Sequence, residues 1–220
     1  MCLILSKTKN LTFLSISNCP LISDKTVQVA SETVTTRLTH ITLVNLPLLT
    51  DTGLHHLARN CINLEGVDLT NSTNISESGI KDILSMCPFL TLLDLQRLGL
   101  GSGYAINEKI VPYILAYGIS LRYLSVAGCA LRSHDIERLV HLMPNISTWG
   151  VGFMQVGSRN MALIRRVVSG WTRSDCASLV PLGDTAITMT FPACKKKIHL
   201  IGTREDRVSR YFSLSPNLEG

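Results

Sequence analysis

Apolar residues recur along this chain in a short, fixed group. An anchor leucine or isoleucine falls at Leu11, Leu38, Leu64, Leu90, Leu121 and Ile146, with successive gaps of 27, 26, 26, 31 and 25 residues. Further apolar residues follow each anchor three and five positions on: Leu14 and Ile16, Ile41 and Leu43, Val67 and Leu69, Leu93 and Leu95, Leu124 and Val126, Trp149 and Val151. Alternation at period two belongs to a strand with one buried face, so each group predicts a short strand. A polar turn rich in Asn, Ser and Thr follows, as in Thr70 to Ser78. Ile80, Ile83, Leu84 and Cys87 then repeat at the three-to-four spacing of one helix face. Pro88 stops that helix and returns the chain to the next strand. Residues 38–63 run the same way, and so do residues 121–145, with Leu131, Ile136, Leu139, Met143 and Pro144.

The pattern L-x-x-L-x-L at a period in the twenties is the signature of a leucine-rich repeat solenoid. One such unit cannot bury its own apolar face, so it stacks on its neighbours. The expected fold is α/β, a curved stack with short parallel strands on the concave face and helices on the convex face. Residues 1–154 are expected to form five to six repeats, with residues 1–10 read as the tail of a helix from an earlier repeat. After Val151 the period fades, and residues 155–220 are expected to hold an atypical last repeat or cap plus a basic, partly disordered tail. Within them, Met161 to Val168 predicts a helix, while Ala186–Phe191 and Ile198–Ile201 predict strands. Those strands close the last repeat as a hairpin, or else the region is an unstructured end.

Composition changes this picture little, and charge refines it. Residues 1–154 contain 11 Lys or Arg and 11 Asp or Glu, so the repeats are neutral. The net charge of +5 therefore resides in residues 155–220, where a solubilising end or contact with nucleic acid are the two readings. No apolar run approaches the roughly 18 residues that span a bilayer, so no membrane partner is expected. No secretory signal pattern opens the chain, which points to the cytoplasm or nucleus. Four of the seven cysteines follow the repeat. Cys19 and Cys129 share a position that Leu46, Ser72, Leu98 and Met154 hold elsewhere, and Cys61 and Cys87 lie three residues before their anchors. A position accepting Cys, Leu, Met and Ser is a packing site, so these thiols are expected reduced and buried. No two cysteines are nearer than 17 residues, which argues against zinc, and no metal is expected.

Enzyme chemistry finds little purchase. The histidines are dispersed, without H-E-x-x-H or G-x-S-x-G patterns, and His55-His56 reads as a solvated pair on an outer helix. Gly99–Gly103 precedes a helix but lacks the Lys-Ser or Lys-Thr of a phosphate loop, so a flexible loop is expected. No catalytic residue and no cofactor are assigned, and a non-enzyme is expected. The expected binding wall comprises the residues flanking the inward strand leucines. It includes Phe13, His40, Thr42, Asp68 and Thr70, continuing through Leu92, Asp94, Gln96, Tyr123 and Ser125. Phe13, Leu92 and Tyr123 are the expected anchors, since interface energy concentrates in large apolar groups. Asp68 and Asp94 stand at equivalent positions one repeat apart, where they suit a basic group of a partner better than acid–base chemistry.

One phrase carries a resemblance. Ile16-Ser-Asn-Cys-Pro-Leu-Ile-Ser-Asp24 and Leu49-Thr-Asp-Thr-Gly-Leu-His-His-Leu-Ala-Arg-Asn-Cys-Ile-Asn-Leu64 resemble the cysteine-containing leucine-rich repeat of F-box/leucine-rich-repeat proteins. The resemblance spans about residues 1–154. It implies protein recognition, with substrate selection for an SCF-type ubiquitin ligase as the process. An F-box-like helical module is not visible before Leu11, so the chain is expected to be a fragment or an F-box-less relative without direct adaptor contact. A structural or assembly scaffold unconnected with any ligase is the alternative, and nucleic-acid binding through the basic end is a third.

Overall fold

A computed structural model of the chain describes residues 10–34, 37–98, 106–143, 145–152, 178–181, 186–191 and 196–201. The first six strands alternate with five helices. They run β1 (Phe13–Ser17), α1 (Asp24–Val34), β2 (His40–Val44), α2 (Asp51–Asn60), β3 (Gly66–Asp68), α3 (Glu77–Met86) and β4 (Leu92–Asp94). A short 3-10 turn (Glu108–Ile110) then leads into α4 (Val111–Tyr117), followed by β5 (Tyr123–Ser125), α5 (Ser133–Leu142) and β6 (Thr148–Gly152). Strands β1 to β6 lie side by side in chain order, all parallel. This is a mixed α/β arrangement of the leucine-rich-repeat type.

Register confirms the repeat. Leu14, Ile41, Val67, Leu93, Leu124 and Trp149 pair across successive strands. Their companions Leu43, Leu69, Leu95 and Val126 are buried too, as are the anchors Leu38, Leu64, Leu90, Leu121 and Ile146. Opposite them lie the helix stripes: Leu54, Leu57 and Ala58, then Ile80, Ile83 and Leu84, then Ile136 and Leu139. Each buried Leu or Ile contributes about 1.5–3 kcal/mol by leaving water, so this single ladder of side chains dominates the fold.

Polar ladders fix how one unit sits on the next. The caps Thr50 and Ser76 accept from the N–H groups of Thr52 and Ser78, closing the first turns of α2 and α3. Each cap also donates to the first residue of the preceding helix. Thr50 N reaches Asp24 Oδ1 at 2.8 Å and its hydroxyl reaches Oδ2 at 2.6 Å, while Ser76 N reaches Asp51 Oδ1 at 2.8 Å and its hydroxyl reaches Oδ2. Gly53 and Gly79 make room for those carboxylates, because a Cβ at either would lie 2.6 Å from the Asp oxygen. A second ladder was hidden in the polar turns. Asn18, Asn45 and Asn71 occupy the left-handed region at φ of 57°, 55° and 59°. Asn45 Nδ2 donates to Asn18 Oδ1 at 2.8 Å, and Asn71 Nδ2 to Asn45 Oδ1 at 3.0 Å.

Three further strands extend the sheet: β7 (Ser178–Pro181), β8 (Ala186–Phe191) and β9 (Lys196–Ile201). The two expected strands, β8 and β9, pair antiparallel, and β9 joins β6 in parallel. β7 was not foreseen and pairs antiparallel with β8. The expectations for residues 1–9, the Gly99–Gly103 loop, Pro144, the 161–168 helix and the tail after 201 lie outside the described residues.

The cysteine reading needs one correction. Cys61, Cys87 and Cys129 are buried as expected, but Cys19 is exposed. The thiols at this position reach different partners. Cys129 Sγ donates to Leu95 O of the preceding strand turn at 3.1 Å, and Ser72 at the equivalent position donates to Leu43 O at 2.8 Å. Cys19 instead donates to Ser17 O of its own unit at 3.3 Å.

Candidate functional site

The strand positions that alternate with the core ladder form two aligned rows on the face away from the helix stripes. One row reads Phe13, His40, Gly66, Leu92, Tyr123 and Thr148. The other reads Ser15, Thr42, Asp68, Asp94, Ser125 and Gly150. The first is largely aromatic and apolar, the second polar with two carboxylates at its centre. Thr70 and Gln96 lie two residues beyond those carboxylates and are half-buried.

Neighbouring groups position His40, Asp68, Asp94 and Tyr123. Phe13 is 57 % exposed at the outer end of the first row. The His40 ring lies over Gly66, so that a Cβ at 66 would collide with it, and His40 Nδ1 sits 3.0 Å from Thr39 Oγ1. Thr42, Leu92 and Tyr123 are half-buried. Asp68 Oδ1 accepts the Thr70 N–H at 2.9 Å, and Asp94 Oδ1 accepts the Gln96 N–H at 3.0 Å. These local bonds fix both carboxylates in the same orientation. The Tyr123 hydroxyl donates to Asp94 Oδ2 at 3.0 Å.

Electrostatics set the centre apart. Burial pushes the Asp94 carboxyl above its ordinary value; the Asp68 charge adds to this, while the Gln96 N–H and the hydroxyls of Tyr123 and Ser125 oppose it. Burial likewise raises the Tyr123 phenol, and the Asp94 charge and hydrogen bond reinforce the shift. Among the described residues the ion pairs are His55–Asp82 at 2.9 Å and His134–Asp135 at 3.3 Å, so neither Asp68 nor Asp94 has a cationic partner there. No cluster of three or more His, Cys, Asp or Glu that could hold a metal occurs among the described residues.

Ser125 departs from the expected wall. It is fully buried, and its hydroxyl makes no hydrogen bond of ordinary geometry although it faces Asp94 and Tyr123. Gly150 on the next strand admits it, since a Cβ there would collide with the Ser125 side chain. Ser125 thus lies beneath the face rather than on it. Sequence reading missed the Asn ladder that edges the face. The signal was present: Asn18, Asn45 and Asn71 stand seven residues after their anchors, with Arg97 and Gly128 next in the series at φ of 55° and 78°.

The pair at the outer helices is likewise specific. His55 Nδ1 meets Asp82 Oδ2 across α2 and α3, with His55 still 45 % exposed. No helix among the described residues is long and apolar enough to cross a membrane.

No family model matches the chain. Among solved structures it is similar to actin-binding site 2 of leiomodin-1, at 17 % identity and a TM-score of 0.41, over 75 % of this chain and 90 % of that one. It is also similar to the C-terminal domain of tropomodulin from Caenorhabditis elegans, at 11 % identity and a TM-score of 0.40, over 76 % of this chain and 89 % of that one.

Proposed function

We propose that the chain is a leucine-rich repeat solenoid whose strand face recognises a protein partner and performs no catalysis. One observation supports this above the rest: an aromatic and apolar row lies beside a row centred on two carboxylates, across six strands in register. Apolar anchors supply affinity and charges supply orientation in protein interfaces. The site residues proposed for this role are Phe13, His40, Thr42, Asp68, Thr70, Leu92, Asp94, Gln96 and Tyr123. The narrower reading, substrate selection for an SCF-type ubiquitin ligase in the cytoplasm or nucleus, is supported by the repeat phrases at residues 16–24 and 49–64 alone.

Affinity capture with the whole chain as bait, followed by mass spectrometry, tests both levels. A partner captured by the unmodified chain and lost with the double change Leu92→Ala and Tyr123→Ala supports the strand face. Retention with that double change, and loss with Lys195, Lys196 and Lys197 changed to Ala, sinks it in favour of the basic end. Captured ubiquitin-ligase components support the narrower reading, whereas a stable set of non-ligase subunits makes the chain an assembly scaffold.

A further inference from the structure

We propose that the Asp68–Asp94 pair receives a guanidinium group from the protein partner, with Leu92 and Tyr123 packing against the apolar residues that flank it. This rests on the reading of the strand face as the recognition surface. The two carboxylates stand on adjacent parallel strands in direct register, a spacing of about 4.8 Å. Both are aimed by the N–H groups of Thr70 and Gln96, which engage only Oδ1 of each. Two negative groups so close repel one another, and no cation among the described residues relieves them.

Ser125 supplies a second, independent sign. Its hydroxyl is fully buried and makes no hydrogen bond of ordinary geometry, although it lies close enough to Asp94 and Tyr123 to act on both. In the free protein Tyr123 already occupies Asp94 Oδ2. A cation that takes over Oδ2 releases the Tyr123 hydroxyl, which then has the Ser125 oxygen to pair with. Binding therefore completes a hydrogen-bond set that the free protein leaves one partner short.

The chemistry favours guanidinium over other cations. Calcium takes six to eight oxygen ligands and magnesium an octahedron of them, whereas only two carboxylates meet here, and no group of three or more His, Cys, Asp or Glu that could hold a metal occurs among the described residues. An ammonium is a compact and strongly hydrated point charge. The planar guanidinium carries five N–H donors and sheds water more readily, so it bridges two carboxylates and lies flat beside Tyr123.

The test is a titration of the whole, nitrogen-15-labelled chain with acetyl-Leu-Arg-Leu-amide, followed by amide NMR shifts. Its counterpart carries citrulline, which keeps the shape of arginine and removes the charge. The amides of Thr70 and Gln96 are expected to shift saturably with the arginine peptide, and roughly tenfold more weakly with the citrulline peptide. Asp68→Asn and Asp94→Asn should each weaken the arginine peptide several-fold at unchanged circular dichroism, and Tyr123→Phe should bind it as tightly or more so. Equal binding of the two peptides overturns the proposal, as does the absence of any saturable shift up to about 10 mM peptide. Shifts confined to the strand face but indifferent to both Asp changes reject the guanidinium site and leave the strand-face reading standing. Shifts confined to the helices reject both.

Discussion

Replacing Gly79 by Ala isolates the device that sets one repeat on the next. Ala at a helical position ordinarily stabilises a protein by about 0.5–1 kcal/mol relative to Gly. Here the new Cβ would lie 2.6 Å from Asp51 Oδ1, 3.1 Å from Leu54 Cδ1 and 3.2 Å from Asp51 Cα. The carboxylate must leave, or helix α3 must retreat. If the carboxylate leaves, the bonds from Ser76 N and Ser76 Oγ are lost. Hydrogen bonds to a charged group are worth about 1.5–3 kcal/mol each, and these are only part-buried, so the lower figure applies. Subtracting the helical gain leaves a net loss of roughly 2 kcal/mol. Retreat of the helix costs a similar amount, about 1–3 kcal/mol, as overpacking does in cores. Urea unfolding followed by circular dichroism should therefore place the Gly79→Ala midpoint below that of the unmodified chain. The sharper test is the cycle with Asp51→Ala. Once the carboxylate is gone, Gly79→Ala should be close to neutral, giving a coupling of about 2 kcal/mol. A rise in the midpoint with Gly79→Ala alone, or two losses that simply add, would refute the account of this motif.

Three further outcomes follow from the same architecture. Leu69→Asp or Leu95→Asp should unfold the stack, because each buries an unpaired charge in a fully enclosed position, whereas Asp68→Ala should leave the circular dichroism spectrum unchanged; equal tolerance of all three would contradict the register. With thiol reagents at pH 8, Cys19 should label rapidly, while Cys61, Cys87 and Cys129, pushed up to about 12 chiefly by burial, should label only on unfolding; fast native labelling of Cys61 or Cys87 would contradict their packing role. Because the folded state holds the Asp94 proton more tightly than the unfolded chain, the stability contributed by that proton is present at low pH. It is lost as pH rises through the ordinary carboxyl value near 3.8 towards the raised one, so Asp94→Asn should gain stability relative to the unmodified chain over that rise. A gain that runs in the opposite direction, measured by urea midpoints between pH 3.5 and about 7, would show that Asp94 is held as a favourable anion.

The strands and helices of the repeats were legible because each unit states the same apolar register independently. Leu14, Ile41, Val67, Leu93, Leu124 and Trp149 pair in the register their spacing implies. What was not legible depends on contact between units. Asn45 has no reason to stand in a left-handed turn until Asn18 and Asn71 stack on either side of it. Residue type alone could not distinguish Cys19 from Cys129, because their different burial comes from neighbouring units. Ser125 shows the same limit on the strand face. Period-two alternation assigns it to the wall with Asp68 and Asp94, but Gly150 lets the next strand close over it. A serine's position in the row is a property of its own strand, and its depth is a property of the neighbouring one.

That distinction bears on how such a face acquires specificity. The orientation of Asp68 and Asp94 comes from the backbone two residues onward, at Thr70 in the turn that carries Asn71 and at Gln96 in the equivalent turn that carries Arg97. Asn71 N in that same turn reaches Gln96 O at 2.9 Å, so the turn that aims Asp68 is tied to the turn that aims Asp94. The carboxylates are thus set by the repeat itself, and their spacing follows the strand spacing rather than the freedom of two surface side chains. Holding them in place costs little additional conformational entropy on binding, which is the usual route by which a preorganised surface gains affinity without gaining area. The Tyr123 hydroxyl is the adjustable part of this arrangement, because it bridges to Asp94 from a strand whose next wall residue, Ser125, is buried with its hydroxyl unpaired. On the proposed reading of this face, recognition combines a rigid carboxylate pair with one movable hydroxyl, and the residue most able to tune it without disturbing the stack is Tyr123.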